Sequence, residues 1–188
     1  TKFKGVCNHH DLGPLGAAVN DAAIRRQIRI MKDMGANAIR SSHNMPAPEL
    51  VRACDEMGMM LMLETFDEWV EKDLMNLIHQ YRNNASVVMW CIGNEVPDQW
   101  KGIKLARKLQ DICHREDPTR PVTQGMDQVK TVINNGVAAM MDVAGFNYRS
   151  HLYQEAYDKL PQQIVLGSET ASTVSSRGVY KFPVVRKD

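Results

Sequence analysis

Apolar residues along this chain follow two alternating rhythms. Short runs that are apolar on both sides of an extended backbone, such as Met59 to Leu63 and Val87 to Ile92, alternate with longer stretches. In the longer stretches the apolar positions recur every three or four residues, as at Ala23, Ile24, Ile28, Met31 and Met34. The first rhythm is that of a strand covered on both faces, and the second that of an amphipathic helix. The pattern predicts strands over 3–7, 37–40, 59–63, 87–92, 121–123, 143–146 and 164–166. It predicts helices over 21–34, 48–57, 67–81, 101–114, 129–135 and 154–159. Asn20 or Asp21 suits the start of the first helix and Gly35 its end, while Pro48 and Gly58 bracket the second.

Doubly covered strands alternating with helices mean a parallel sheet in an α/β protein. No G-x-G-x-x-G or Walker sequence follows any strand, which turns the reading from a doubly wound sheet toward a (β/α)8 TIM barrel. Such a barrel takes about 250 residues. This chain has 188 and yields seven strands, so the barrel is expected to be incomplete, with the eighth strand missing. Residues 1–188 read as one partial barrel domain, with no internal boundary.

Composition narrows the function classes. Lys and Arg number 23 and Asp and Glu 22, a net charge of +1 that gives nucleic acid or an anionic membrane no electrostatic footprint. No apolar run approaches the roughly 20 residues of a bilayer span. Thr1-Lys2-Phe3-Lys4 lacks an initiator Met and a signal-peptide apolar region and reads like the start of an excised segment, while a neutral, cysteine-poor chain fits cytoplasm and periplasm equally. Cys7, Cys54, Cys91 and Cys113 form no C-x-x-C pair and are expected to be free thiols in the core.

Polar, chemically capable residues gather where the strands end. They are Asn8, His9, His10 and Asp11; Arg40, Ser41, Ser42, His43 and Asn44; Glu64; Asn94 and Glu95; Asn147 and Tyr148; and Ser168 and Glu169. A barrel brings these strand ends to one mouth, where barrel enzymes place their chemistry. Two carboxylates there, Glu95 and Glu169, suit glycoside hydrolysis, in which one carboxyl protonates the leaving oxygen and the other serves the anomeric carbon. Asn94 is placed to bind a sugar hydroxyl. Tyr148 is placed to orient a nucleophilic carboxylate, and Arg40 and His43 to keep it ionised or to bind hydroxyls. Metal chemistry finds less support: adjacent His9 and His10 would point to opposite faces of a strand. Neither a strand-one H-x-H pair nor an H-E-x-x-H occurs, so no metal site is assigned. There is no G-x-S-x-G elbow for a serine hydrolase.

The run Val87-Val88-Met89-Trp90-Cys91-Ile92-Gly93-Asn94-Glu95 resembles the acid/base signature of glycoside hydrolase family 2, the β-galactosidase and β-glucuronidase family. Asn83-Asn84-Ala85-Ser86 is similar to its N-H-P-S lead-in, with Asn-Ala in place of His-Pro. Ala38 to Asn44 and Gly5 to Asp11 resemble the family's second- and first-strand motifs, and Leu166-Gly167-Ser168-Glu169 its nucleophile strand. The resemblance implies a retaining exo-β-glycosidase, with Glu95 as general acid/base and Glu169 as nucleophile. It places sugar contacts on His9, Asp11, Arg40, His43 and Asn94. It gives Tyr148 a role supporting Glu169, and Glu64 a supporting place behind the site.

The implied substrate is a small-molecule or oligosaccharide β-glycoside. The first two strands look closest to β-galactosidases. A β-glucuronidase or β-mannosidase of the same family, or a non-catalytic carbohydrate-binding barrel, are the alternatives. No cofactor is required, although some members use Mg2+ or Na+ as helper ions, and a homo-oligomer is compatible. The family's N-terminal β-sandwich domains and the aromatic wall of its eighth strand are not in this chain. The connection at Phe66 to Trp69 is shorter than in relatives, and 172–188 resembles the start of the loop after the seventh strand.

Overall fold

The computed structural model describes residues 2–65, 71–101 and 103–171. Seven strands are present among them: β1 (Gly5–His9), β2 (Ala38–Ser42), β3 (Met60–Glu64), β4 (Val87–Asn94), β5 (Val122–Met126), β6 (Val143–Asn147) and β7 (Val165–Glu169). They form one sheet in sequential order, and every neighbouring pair is parallel. The sheet curls until its first and last strands meet, where the Cys7 thiol donates to the Ser168 carbonyl at 2.8 Å. This is the incomplete TIM barrel that the alternating rhythm predicts.

Helices α1 (Asp21–Asp33), α2 (Pro48–Met57), α3 (Glu71–Tyr81), α4 (Asp98–Lys101), α5 (Lys104–Glu116), α6 (Val129–Asn134), α7 (Val137–Met140) and α8 (Tyr153–Lys159) fill the crossovers. The Asn20 side chain caps α1 by accepting from the Ala23 N–H at 2.9 Å, satisfying one of the amides a helix start leaves unpaired. Gly58 ends α2 in the left-handed conformation that costs a residue with a Cβ more. The helix expected over 101–114 is α5, and the short α4 ahead of it is not foreseen. The helix expected over 129–135 is α6, and α7, not foreseen, follows it beyond Gly136, which has φ +86°. The first residues of the helix expected over 67–81, and the tail at 172–188, lie outside the described residues.

The core lies between sheet and helices. Ile24 and Ile28 of α1, Leu74, Leu77 and Ile78 of α3, and Leu109 and Ile112 of α5 join Ile39, Leu61, Leu63, Trp90 and Phe146 of the strands in one cluster. Cys54, Cys91 and Cys113 are buried and Cys7 half-buried, all four as free thiols.

The strands run further than their apolar runs suggest. His9, Ser42, Glu64, Asn94, Asn147 and Glu169 are each the last residue of a strand rather than the first of a loop. Polarity marks where a strand stops meeting hydrocarbon. Backbone pairing continues past that point because the side chains of Glu64, Asn94, Asn147 and Glu169 find polar partners inside the barrel mouth.

Candidate active site

Arg40 organises the mouth. Its guanidinium is 2% exposed, and its fork reaches four neighbouring groups. Nε donates to Glu64 Oε2 at 2.7 Å, Nη1 to Glu169 Oε1 at 3.0 Å and to the Ser168 carbonyl at 3.3 Å, and Nη2 to Asn94 Oδ1 at 3.0 Å. One residue of β2 thereby fixes the ends of β3, β4 and β7. The planar, permanently charged fork suits that task better than a lysine would.

Glu64 is fully buried between two cationic partners. Besides Arg40 it accepts from His43 Nδ1 at 3.0 Å, and the Ser41 hydroxyl accepts from its backbone N–H at 3.1 Å. It therefore acts on the mouth by aiming Arg40 and His43. A buried carboxylate is tolerable only when paired in this way.

Glu169 is the most heavily supported carboxylate. Arg40 and His43 Nε2 (3.1 Å) meet Oε1, and the Tyr148 hydroxyl donates to Oε2 at 2.7 Å. Burial pushes this carboxyl up. The hydrogen bonds from His43 and Tyr148 and the Arg40 charge outweigh it, and the net result is about 2. Burial likewise pulls His43 down, and the bonds to Glu169 and Glu64 overturn that and raise it to about 9. At neutral pH the mouth thus holds an ionised Glu169 against an imidazolium.

Glu95 stands at the rim, exposed, just beyond β4. Its backbone is left-handed at φ +47°, and its N–H donates to the Gly125 carbonyl at 2.8 Å. Tyr148 is also left-handed, at φ +56°, with its N–H bonded to the Glu169 carbonyl. Two non-glycine residues in this sparsely populated region, both in the mouth, hold side chains where ordinary strand geometry would not send them.

Asn147 joins the two carboxylate ends. Fully buried at the end of β6, it donates from Nδ2 to Asn94 Oδ1 at 2.7 Å and to Glu95 Oε1 at 2.9 Å, while Oδ1 accepts from Ser168 at 2.8 Å. Two donors on Asn94 Oδ1 settle which end of that amide is oxygen and leave its NH2 as the donating end. The sequence marks Asn147 only as a polar strand end. Its bridging place depends on the register of β6 against β4 across β5. Gly125 of β5 makes room for all of this: a Cβ there would lie 2.7 Å from both Arg40 Nη2 and Asn94 Oδ1. Gly125→Ala is expected to destabilise the protein by about 1–3 kcal/mol and to depress turnover more than a comparable substitution away from the mouth. Denaturant unfolding beside steady-state kinetics checks both.

Of the residues singled out in the sequence, Arg40, His43, Glu64, Asn94, Glu95, Tyr148 and Glu169 are joined in one hydrogen-bonded network. His9 reaches it through His43, with the two Nε2 atoms 3.2 Å apart. Asp11 is exposed and occupied locally, accepting the Gly13 N–H at 2.7 Å.

This constellation at the mouth of a parallel barrel can be set beside known proteins. The model of the glycosyl hydrolases family 2 TIM barrel domain matches residues 1–72 and 66–184. The chain belongs to glycoside hydrolase family 2. The two matched pieces overlap at 66–72, where the sequence places a shortened connection that lies in part outside the described residues. The chain is 37% identical to the β-galactosidase BoGH2A of Bacteroides ovatus, over 97% of its own length and 27% of that protein. A family 2 structure from Bacteroides cellulosilyticus superposes with a TM-score of 0.81 at 37% identity, covering 90% of this chain and 24% of that one. A Bacteroides uniformis β-glucuronidase, covalently bound to cyclophellitol-6-carboxylate aziridine, gives 0.69 at 27% identity, covering 87% and 23%. The chain thus spans about a quarter of the length of these family 2 relatives.

The charges of this family 2 mouth predict a pH signature in stability. Glu169, ordinarily near 4.5 and here about 2, contributes fully above 4.5, and that contribution is lost as pH falls through about 2. His43, ordinarily near 6.5 and here about 9, contributes fully below 6.5, and that contribution is lost as pH rises through about 9. The destabilisation caused by His43→Gln should therefore be largest between pH 4.5 and 6.5 and shrink steadily toward pH 9. Melting temperatures of both proteins across that range measure it.

Proposed function

We propose that the intact protein is a retaining exo-β-glycosidase that releases terminal β-linked sugars, β-D-galactosides first among them. The observation that carries this reading is the treatment of Glu169. A carboxylate held by Tyr148, His43 and Arg40 and kept ionised to about pH 2 is prepared for nucleophilic attack. In the first step Glu169 forms a bond to the anomeric carbon as the glycosidic C–O bond breaks, and Glu95 gives its proton to the departing oxygen. In the second, Glu95 takes a proton from water, the water oxygen bonds to the anomeric carbon, and Glu169 is released. Two carboxyl groups and water balance both steps, so neither calls for a cofactor. Asn147, through its bond to Glu95 Oε1, would set the rim carboxyl relative to the nucleophile.

The similarity to BoGH2A, a β-galactosidase, favours the galactoside. The likeness to a β-glucuronidase structure keeps the glucuronide as the second reading. The test is hydrolysis of p-nitrophenyl β-galactoside, β-glucuronide and β-mannoside by the intact protein, following the released anomer by NMR. Retention on the galactoside is the expected result, and faster turnover of the glucuronide would move the assignment to the second reading. An inverted product would overturn the double displacement. Folded protein with no turnover on any of the three would leave a barrel that binds sugar without cleaving it.

A further inference from the structure

The exposed edge of the mouth contains a juxtaposition that hydrolysis does not require. His9, at the end of β1, and His43, just after β2, face each other through their Nε2 atoms at 3.2 Å. His43 Nε2 also lies 3.1 Å from Glu169 Oε1. The ligating atoms of all three residues fall within 4.8 Å of one another. Neighbouring ligands on a tetrahedral ion with metal–ligand bonds of about 2.0–2.1 Å stand about 3.3 Å apart. Both close distances match that spacing.

We infer that His9, His43 and Glu169 form an inhibitory site for a divalent transition-metal ion of the Zn2+ class, closed over the nucleophile. The inference rests on the reading of Glu169 as nucleophile. Two further features favour it. The fully buried Glu64 accepts from His43 Nδ1 at 3.0 Å. That is the carboxylate–histidine arrangement that fixes a metal-binding imidazole and turns its other nitrogen toward the ion. In addition, His9 is exposed, so an ion can arrive from solvent.

Two imidazoles and one carboxylate suit Zn2+, Co2+ or Cu2+ and not Mg2+ or Ca2+, which take oxygen ligands. Binding replaces the proton that His43 Nε2 offers to Glu169 and releases it. Arg40, at 3.0 Å from Oε1, opposes the ion's charge, although a carboxylate oxygen can accept from both. The two histidines stand at the ends of different strands, His9 closing β1 and His43 following β2. A search for same-strand pairs in the sequence therefore passes over them.

The intact protein should be tested with Co2+ and Zn2+. Co2+ is expected to give the visible absorption of a tetrahedral complex at one equivalent. Zn2+ is expected to displace it and to inhibit glycoside hydrolysis competitively with substrate, while Mg2+ does neither. His9→Gln alters an exposed side chain and should weaken Co2+ binding at least about 10-fold, on the scale of losses around metal sites. Glu169→Gln, read by the same absorption, provides a second variant that needs no activity. Absence of the Co2+ spectrum, or a spectrum unchanged in both variants, would overturn the site. A Co2+ spectrum lost in both variants, in a protein that cleaves no glycoside, would keep the site and overturn the hydrolase reading.

Discussion

Glu169→Gln in the intact protein is expected to lower kcat for β-galactoside hydrolysis by about 10⁴- to 10⁶-fold, the scale on which loss of a covalent nucleophile acts elsewhere. The amide keeps the size of the side chain and can still meet Arg40 and Tyr148, so the fold should survive. What disappears is the charge that attacks the anomeric carbon. In Glu169→Ala, which vacates the space of the side chain, exogenous azide should restore part of the rate and give the glycosyl azide of inverted configuration. Full activity in Glu169→Gln would place the nucleophile elsewhere. Loss of both activity and cooperative unfolding would say that Glu169 serves the fold first.

Arg40→Met carries the largest expected effect on stability. Glu64 is fully buried and Arg40 only 2% exposed, so removing the guanidinium leaves a buried carboxylate with His43 as its remaining cationic partner. Breaking a buried ion pair from one side costs about 3–5 kcal/mol. The same substitution frees the ends of β3, β4 and β7 from their common partner. Arg40→Lys keeps the charge but not the fork, and should recover only part of the stability. The double variant Arg40→Met with Glu64→Gln should be more stable than Arg40→Met alone, because the stranded charge is gone. Denaturant unfolding of the parent, Arg40→Met, Glu64→Gln and the double variant forms the cycle. An Arg40→Met protein as stable as the parent would show that Glu64 takes up a proton at no cost.

Much of the fold can be read from the chain because its rhythm is local. Met59 to Leu63 and Val87 to Ile92 are apolar on both faces, a pattern satisfied by burial beneath helices on one side and a barrel interior on the other. The helix boundaries at Asn20, Pro48 and Gly58 follow from which backbone groups each residue satisfies or strains, and the structure keeps them. The short α4 was less legible, because four residues are too few to show a helical period.

The site was legible only in outline. Polar residues at six strand ends marked the mouth, and the fourth-strand motif marked Glu95 as its acid. Asn147 carried no such signal. An asparagine ending a strand is ordinary in a sequence, and its bonds to Asn94 and Glu95 exist only because β5 brings Gly125, which has no side chain, between them. Asp11 shows the opposite case: it ends the first-strand motif, yet its carboxylate turns back to its own loop.

The sequence by itself determined the parallel order of strands and helices, the helix caps and the family. Each follows from residues near one another in the chain, through periodicity, backbone preference and contiguous motifs. Only the tertiary structure decided which side chains face one another across the mouth. Examples are the single guanidinium shared among Glu64, Glu169 and Asn94, and the two histidines at the ends of β1 and β2, 3.2 Å apart. Those pairings join residues up to 129 positions apart. They are set by how far the sheet curls and by the register of each strand against the next, quantities that no local stretch of sequence contains.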